Sequence, residues 1–291
     1  MKPEATLLTA AAIAAVKARS APGPIVRAGA RVALHFHPDF DLLGDPTLLK
    51  MLADGEYVSQ FVTGTSNGGL TAQQGGDRWL WEHELFDGVY DNADPRHRPL
   101  YGSLQLERDP FGPSPRFGSA YFRLRQAVTE RSTFTYPDSA HPPLHLGVAD
   151  CMSLEKELDS RPAGSDPLDH YIEAQVHGGL NLVRDVEALV LDPSFAGSTL
   201  AAAAASANMK VEWHPGYVID VNSIAEHPQY RGEDAVTLAL RLADGRVLTP
   251  AILGRARGRS DVDPQLLKYV WHYLARFGKR EAGHEGSSPA L

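Results

Sequence analysis

The sequence predicts an α+β fold, with a β-rich middle between helical N- and C-terminal additions. Three observations carry this. Strand-like runs gather between residues 31 and 192. Beyond residue 200 apolar residues recur at helical spacing, as in Leu266, Leu267, Val270, Trp271 and Leu274. The chain opens on an alanine-rich run with no strand character.

Residues 4–20 read as a helix, ended by Ala21-Pro22-Gly23-Pro24. Lys17 and Arg19 directly after its apolar run, and Glu4 before it, favour a helix over a secretory leader. Residues 31–37 form a strand closed by Pro38, and Asp45-Pro46 caps a helix running to Ala53. Tyr57 to Val62 alternates like a strand, Thr63–Gly69 is a glycine and hydroxyl loop, and Trp79–Phe86 is partly helical. Strands follow at 100–106, 116–124, 170–177 and 186–191, with a short helix at Gln126–Arg131 and a loop-rich connection over 137–168. Helices are expected at 200–209, 232–243 and from Asp263-Pro264 onward. The boundaries expected are therefore an N-terminal helix over 1–24, a core over 25–200, a mostly helical extension over 201–278 and a disordered tail over 279–291.

The chain has 291 residues, 43% hydrophobic and 22% charged, enough to bury a sizeable core. Its net charge of -8 argues against wholesale wrapping of nucleic acid. A single cysteine, Cys151, excludes an internal disulfide and a cysteine-built zinc site, and a cytoplasmic setting is the expectation. No apolar run approaches a membrane span, so no membrane partner is expected.

Glu173 is the residue that most suggests chemistry. On a strand, Glu173 and Gln175 face one side, and Ile172, Ala174 and Val176 the other. A carboxylate on a buried face costs several kcal/mol unless something there needs it. His35 and His37 likewise share a strand face, with Asp39 beyond. They suit either substrate hydrogen bonding or, with Asp39, a metal site for a hydrolase, although His141, His145, His170 and His177 show no tight ligand spacing. Thr63–Gly69 resembles neither a P-loop nor a dinucleotide fingerprint, yet its backbone N–H groups and hydroxyls suit an anion or a nucleotide, which also allows a non-catalytic binding module. Tyr101-Gly102-Ser103 and Phe117-Gly118-Ser119-Ala120-Tyr121-Phe122 set glycine beside an aromatic, where a flat ligand can stack. Arg116, Arg123, Arg125 and Arg131 are candidate phosphate ligands. No nucleophile elbow marks a serine hydrolase.

The blocks His-Phe-His-Pro-Asp, Thr-Ser-Asn-Gly-Gly and Glu-Ala-Gln-Val-His-Gly-Gly resemble an uncharacterised bacterial family, over most of the chain. Over residues 31–192 the order of pieces resembles the ADP-ribosyltransferase superfamily. Leu34-His35-Phe36-His37 stands for its first strand, followed by the helix Leu48–Leu52 and the turn Asp54-Gly55. Thr63-Gly64-Thr65-Ser66 and Phe117–Phe122 stand for its hydroxyl and tyrosine elements, and Tyr171–Val176 for its glutamate strand. The chain departs in having Glu173-Ala174-Gln175 where the arginine-modifying toxins end such a triplet in glutamate.

That resemblance implies a split antiparallel β-sheet and NAD as substrate, with ADP-ribose passed to a protein or nucleic-acid acceptor, and a role as a toxin or effector, cytoplasmic or delivered into a target cell. It implies Glu173, with Gln175, as the catalytic pair. It places His37 or His35 on a ribose, Tyr101, Tyr121 or Tyr136 on nicotinamide, and Thr63, Thr65 and Ser66 around the ribose and Glu173.

Overall fold

The computed structural model describes residues 3–42, 44–64, 69–160, 162 and 164–281. Among these, eight strands form one sheet: β1 Arg31–Phe36, β2 Leu100–Gln105, β3 Ala120–Leu124, β4 Ser132–Tyr136, β5 His145–Val148, β6 Glu173–Val176, β7 Val186–Leu191 and β8 Val211–Trp213. Their order across the sheet is β8-β7-β3-β1-β2-β6-β4-β5. Every neighbouring pair is antiparallel except β7 with β8.

Period-two patterning sorts the faces. Val32, Leu34, Phe36, Leu104, Phe134, Ile172, Ala174 and Val176 enter the main apolar core on one face. Helices α1 Pro3–Arg19, α2 Thr47–Asp54, α3 Asp77–Phe86 and α4 Thr199–Ser206 pack around the sheet, with Leu48 and Met51 of α2 and Leu200 and Ala204 of α4 in that same core. The opposite face is polar yet covered: Ser103, Thr133, Thr135 and Gln175 are fully buried there, and Ala33, Tyr121 and Val190 form a small separate apolar cluster. A third cluster joins Ala12 and Val16 of α1 to Trp81, Leu85 and Phe86 of α3 and to Leu146 and Val148 of β5. The last third of the chain builds its own core from α5 Glu233–Leu242, α6 Pro250–Ala256 and α7 Pro264–Phe277, α7 being capped by the Asp263 carboxylate on the N–H groups of Gln265 and Leu266.

Several expectations need correction. The sheet is continuous through hydrogen bonds rather than split, and β2 is its seam. The Ser103–Gln105 half of β2 pairs with β1, and its Leu100–Ser103 half with β6. The β1–β2 ladder stops at Ala33 and Ser103, while β1 runs on to Phe36 with registered partners on β3 alone. Gly102 makes this approach possible, since a Cβ there would lie 2.5 Å from the Ala33 carbonyl oxygen.

Tyr57–Val62 is not a strand: Glu56–Tyr57 makes a two-residue pairing with Leu180–Asn181, and Ser59 then caps a helical turn at Gln60–Thr63. Helix α2 starts at Thr47 behind Pro46, with no side chain capping it. The loop-rich stretch 137–168 holds β5 and a short helix at Leu154–Asp159, and β4 and α6 were not foreseen. No helix among the described residues is long and apolar enough to cross a membrane.

Candidate active site

A cleft of about 490 Å³ opens beside the point where the β1–β2 ladder ends. That volume suits a small-molecule ligand. Its floor is His35 and Phe36 of β1, Tyr101 and Gly102 of β2 and Glu173 of β6. Its other walls come from α2, from the Gln60–Thr63 turn, from Arg78 of α3, from Ser114, Arg116 and Phe117, from Asp138–Ala140 and from Arg257.

Glu173 opens β6, opposite Ser103 of β2 and Thr135 of β4. Its side chain is 5% exposed. One carboxylate oxygen, Oε2, accepts from the Ser139 hydroxyl at 2.8 Å and the Ser139 backbone N–H at 3.3 Å. The other, Oε1, accepts from Gln175 Nε2 at 3.1 Å. Burial raises its pKa, the Arg78 charge opposes that, and nearby Asp138 adds to the rise. A polar chain runs behind it: Gln175 also donates to Thr135 and accepts from Thr133, whose hydroxyl meets His177, and His177 meets the Tyr90 hydroxyl at 2.9 Å.

Arg78 stacks its guanidinium over the Tyr101 ring at 3.8 Å from the centroid. Tyr101 donates its hydroxyl to Glu82 at 2.8 Å, and Glu82 pairs with Arg98 at 2.6 Å. Both members of that pair are buried, and burial pushes the Glu82 carboxyl up to about 7. Tyr101 is thus held from its hydroxyl and covered by a cation on its face.

At the other end, His35 Nδ1 meets the Gly118 carbonyl at 3.2 Å, Ser114 N–H points to its Nε2 at 3.4 Å, and its ring stacks on Tyr121 at 4.9 Å. Gly112, at φ +74°, keeps that ring's place open: a Cβ there would lie 2.5 Å from His35 Nε2. Burial lowers the His35 pKa to about 3, so the ring is neutral. His37 lies at the rim, stacked on Phe40 at 4.0 Å and edge-on to Trp271 at 4.9 Å. Trp271 also donates its indole N–H to the carbonyls of Pro115 and Arg116 at 3.0 and 3.1 Å, so the C-terminal helices brace one wall of the cleft.

The cleft therefore gathers His35, His37, Thr63, Tyr101 and Glu173 from the residues singled out in the sequence. Three others stand elsewhere. Gln175 does not line the cleft: it is fully buried behind Glu173 and positions it. Tyr121 is buried with its hydroxyl on the Pro110 carbonyl, because the alternation of β3 points it at His35. Tyr136 follows Thr135 on β4, so alternation turns it to the other face, against the main apolar core and His170. Thr65 and Ser66 lie outside the described residues. Of the four arginines proposed for phosphate, Arg116 alone lines the cleft; Arg123 pairs with Glu187 and Glu212, and Arg131 with Asp185.

Among the described residues no three His, Cys, Asp or Glu side chains group as metal ligands. His35 faces Gly118 and Ser114, while Asp39 lies against Gly254.

Arg78 and Ser139 escaped the sequence reading. Arg78 had a legible signal: Arg78, Trp81, Glu82 and Leu85 fall on one stripe of α3, and all are buried, so the inward stripe carries charge. Ser139 had none, since only the fold brings its loop to Glu173.

A family profile described as "Protein of unknown function (DUF3626)" matches residues 31–155 and 153–277. No curated protein matches the chain.

Proposed function

The chain belongs to that family, and from the geometry of its cleft we propose that it is an NAD-dependent ADP-ribosyltransferase, passing ADP-ribose to a protein or nucleic-acid acceptor. The observation that carries this reading is Glu173: a carboxylate 5% exposed, fixed on both oxygens, at the floor of a cleft. An arrangement of that kind suits a reaction that develops positive charge on a sugar carbon.

In the proposed reaction the bond between ribose C1′ and the nicotinamide nitrogen breaks. Its electron pair goes to the ring nitrogen and neutralises the pyridinium charge. Positive charge then spreads over C1′ and the ring oxygen of the ribose, as in glycoside cleavage. Glu173 stabilises that charge from a fixed position in a desolvated site, where electrostatic effects are large. An acceptor nucleophile bonds to C1′ through a lone pair and passes its proton to water. Tyr101 lines the cleft beneath the Arg78 guanidinium and is held in place through Glu82. His37, on the cleft rim, is better placed than His35 for the second ribose, since His35 already meets Gly118 and Ser114. A toxin or effector role belongs to the same proposal and depends on the acceptor.

The test is nicotinamide release from NAD by the full chain, run beside Glu173→Ala. Release by the parent and its loss in the variant are expected. A parent that neither releases nicotinamide nor binds NAD in a calorimeter removes the reading.

A further inference from the structure

We infer that Arg78 forms a phosphoryl-binding subsite in this cleft. Arg78 is 3% exposed, and its side chain lines the cleft. Its Nε and Nη1 are both buried with no hydrogen-bond partner. The nearby carboxylates are turned to other groups: Glu82 takes Arg98 and the Tyr101 hydroxyl, and Glu173 takes Ser139 and Gln175. A guanidinium stays charged at any relevant pH. Buried donors without acceptors destabilise the fold, and a charged group's donors do so most. The acceptors that complete Arg78 therefore come from an occupant of the cleft.

The free positions say which class of anion fits. A carboxylate forks onto an edge of the guanidinium, Nε with Nη2 or Nη1 with Nη2. Nε and Nη1 share no such edge, so one carboxylate cannot serve both. A diphosphate, with oxygens spread over two phosphorus centres, reaches both. Stacking on Tyr101 holds the guanidinium plane, so little freedom is lost when the anion binds. The subsite goes beyond the transferase reading, because it requires a phosphoryl ligand but no bond cleavage.

The experiment is calorimetric titration of the full chain with inorganic pyrophosphate and, separately, with acetate, a single carboxylate. Pyrophosphate is expected to bind at least tenfold more tightly than acetate. Arg78→Gln is expected to weaken pyrophosphate at least tenfold, and Arg78→Lys, which keeps the charge without the fork, to fall between. Absence of pyrophosphate binding, equal binding of acetate, or a folded Arg78→Gln protein with unchanged affinity overturns the subsite. Should both variants fail to fold, a wild-type crystal soaked with pyrophosphate decides: density within hydrogen-bond reach of Arg78 supports the subsite, and its absence there overturns it. Nicotinamide release is read on the same preparations. A parent that binds pyrophosphate through Arg78 yet leaves NAD intact removes the transferase reading and keeps the subsite.

Discussion

Ser139 donates twice to one oxygen of Glu173, from its hydroxyl at 2.8 Å and its backbone N–H at 3.3 Å. Gln175 holds the second oxygen at 3.1 Å. These donors favour the ionised form and offset part of the burial that disfavours it. The carboxylate is therefore both desolvated and oriented, the two properties a charge-stabilising group needs before its substrate arrives.

Glu173→Gln keeps the shape and removes the charge. We expect nicotinamide release to fall by about 10²-fold or more, with a melting temperature close to that of the parent. Full turnover in the variant removes Glu173 from the mechanism.

The contribution of Asp39 and Glu82 to stability should fall as pH rises between about 4 and 7, against the opposite contribution of His35, His37, His177 and His272, whose pKa burial lowers to about 3. Burial pushes Asp39 and Glu82 up to about 7 from ordinary values of 3.8 and 4.5. In that window the folded chain keeps protons on these two carboxyls that the unfolded chain has released, so their part of the balance favours unfolding as pH rises; above the folded values that part has no slope. Asp39→Asn should therefore raise the melting temperature more at pH 8 than at pH 4. A gain that is the same at both pH values contradicts the raised Asp39.

Gly102→Ala sets a methyl against the Ala33 carbonyl oxygen, at 2.5 Å before relaxation. Strand β1 must then move from β2 at the edge of the cleft. A loss of about 1–3 kcal/mol in urea melting is expected, together with weaker NAD binding. Unchanged stability would mean that the two strands part freely there.

Trp271→Phe removes the indole bonds to the carbonyls of Pro115 and Arg116. Both carbonyls share the one indole N–H, so about 0.5–1.5 kcal/mol of stability in all is expected to go with it. Because Arg116 and His37 lie on the wall Trp271 braces, KM for NAD should rise with kcat little changed. A drop in kcat at constant KM contradicts a bracing role.

Much of the secondary structure was legible because burial imposes a period. Val32, Leu34 and Phe36 alternate with Ala33 and His35, and α7 shows its apolar stripe and its Asp263 cap. Elements were missed where that signal is weak. Strand β4, Ser132–Tyr136, is buried on both faces, so its serine and threonines conceal a core strand as loop-like polarity. Glu56–Tyr57 and Gln60–Thr63 are too short for a period to develop.

The sequence by itself determined which residues take the polar face of β1 and β6, because side chains alternate along a strand whatever it pairs with. It thereby marked Glu173, His35 and His37. Only the tertiary structure decided what surrounds them. The end of the β1–β2 ladder at Ala33 and Ser103 opens the cleft, and packing of α3 brings Arg78 onto Tyr101 beside it. The turn after β4 carries Ser139 to Glu173, 34 residues away in the chain, and α7 sets Trp271 behind Arg116, 155 residues away. Such partners leave no local pattern, because contacts across long separations are set by how whole elements pack and not by the spacing of residues within any one of them.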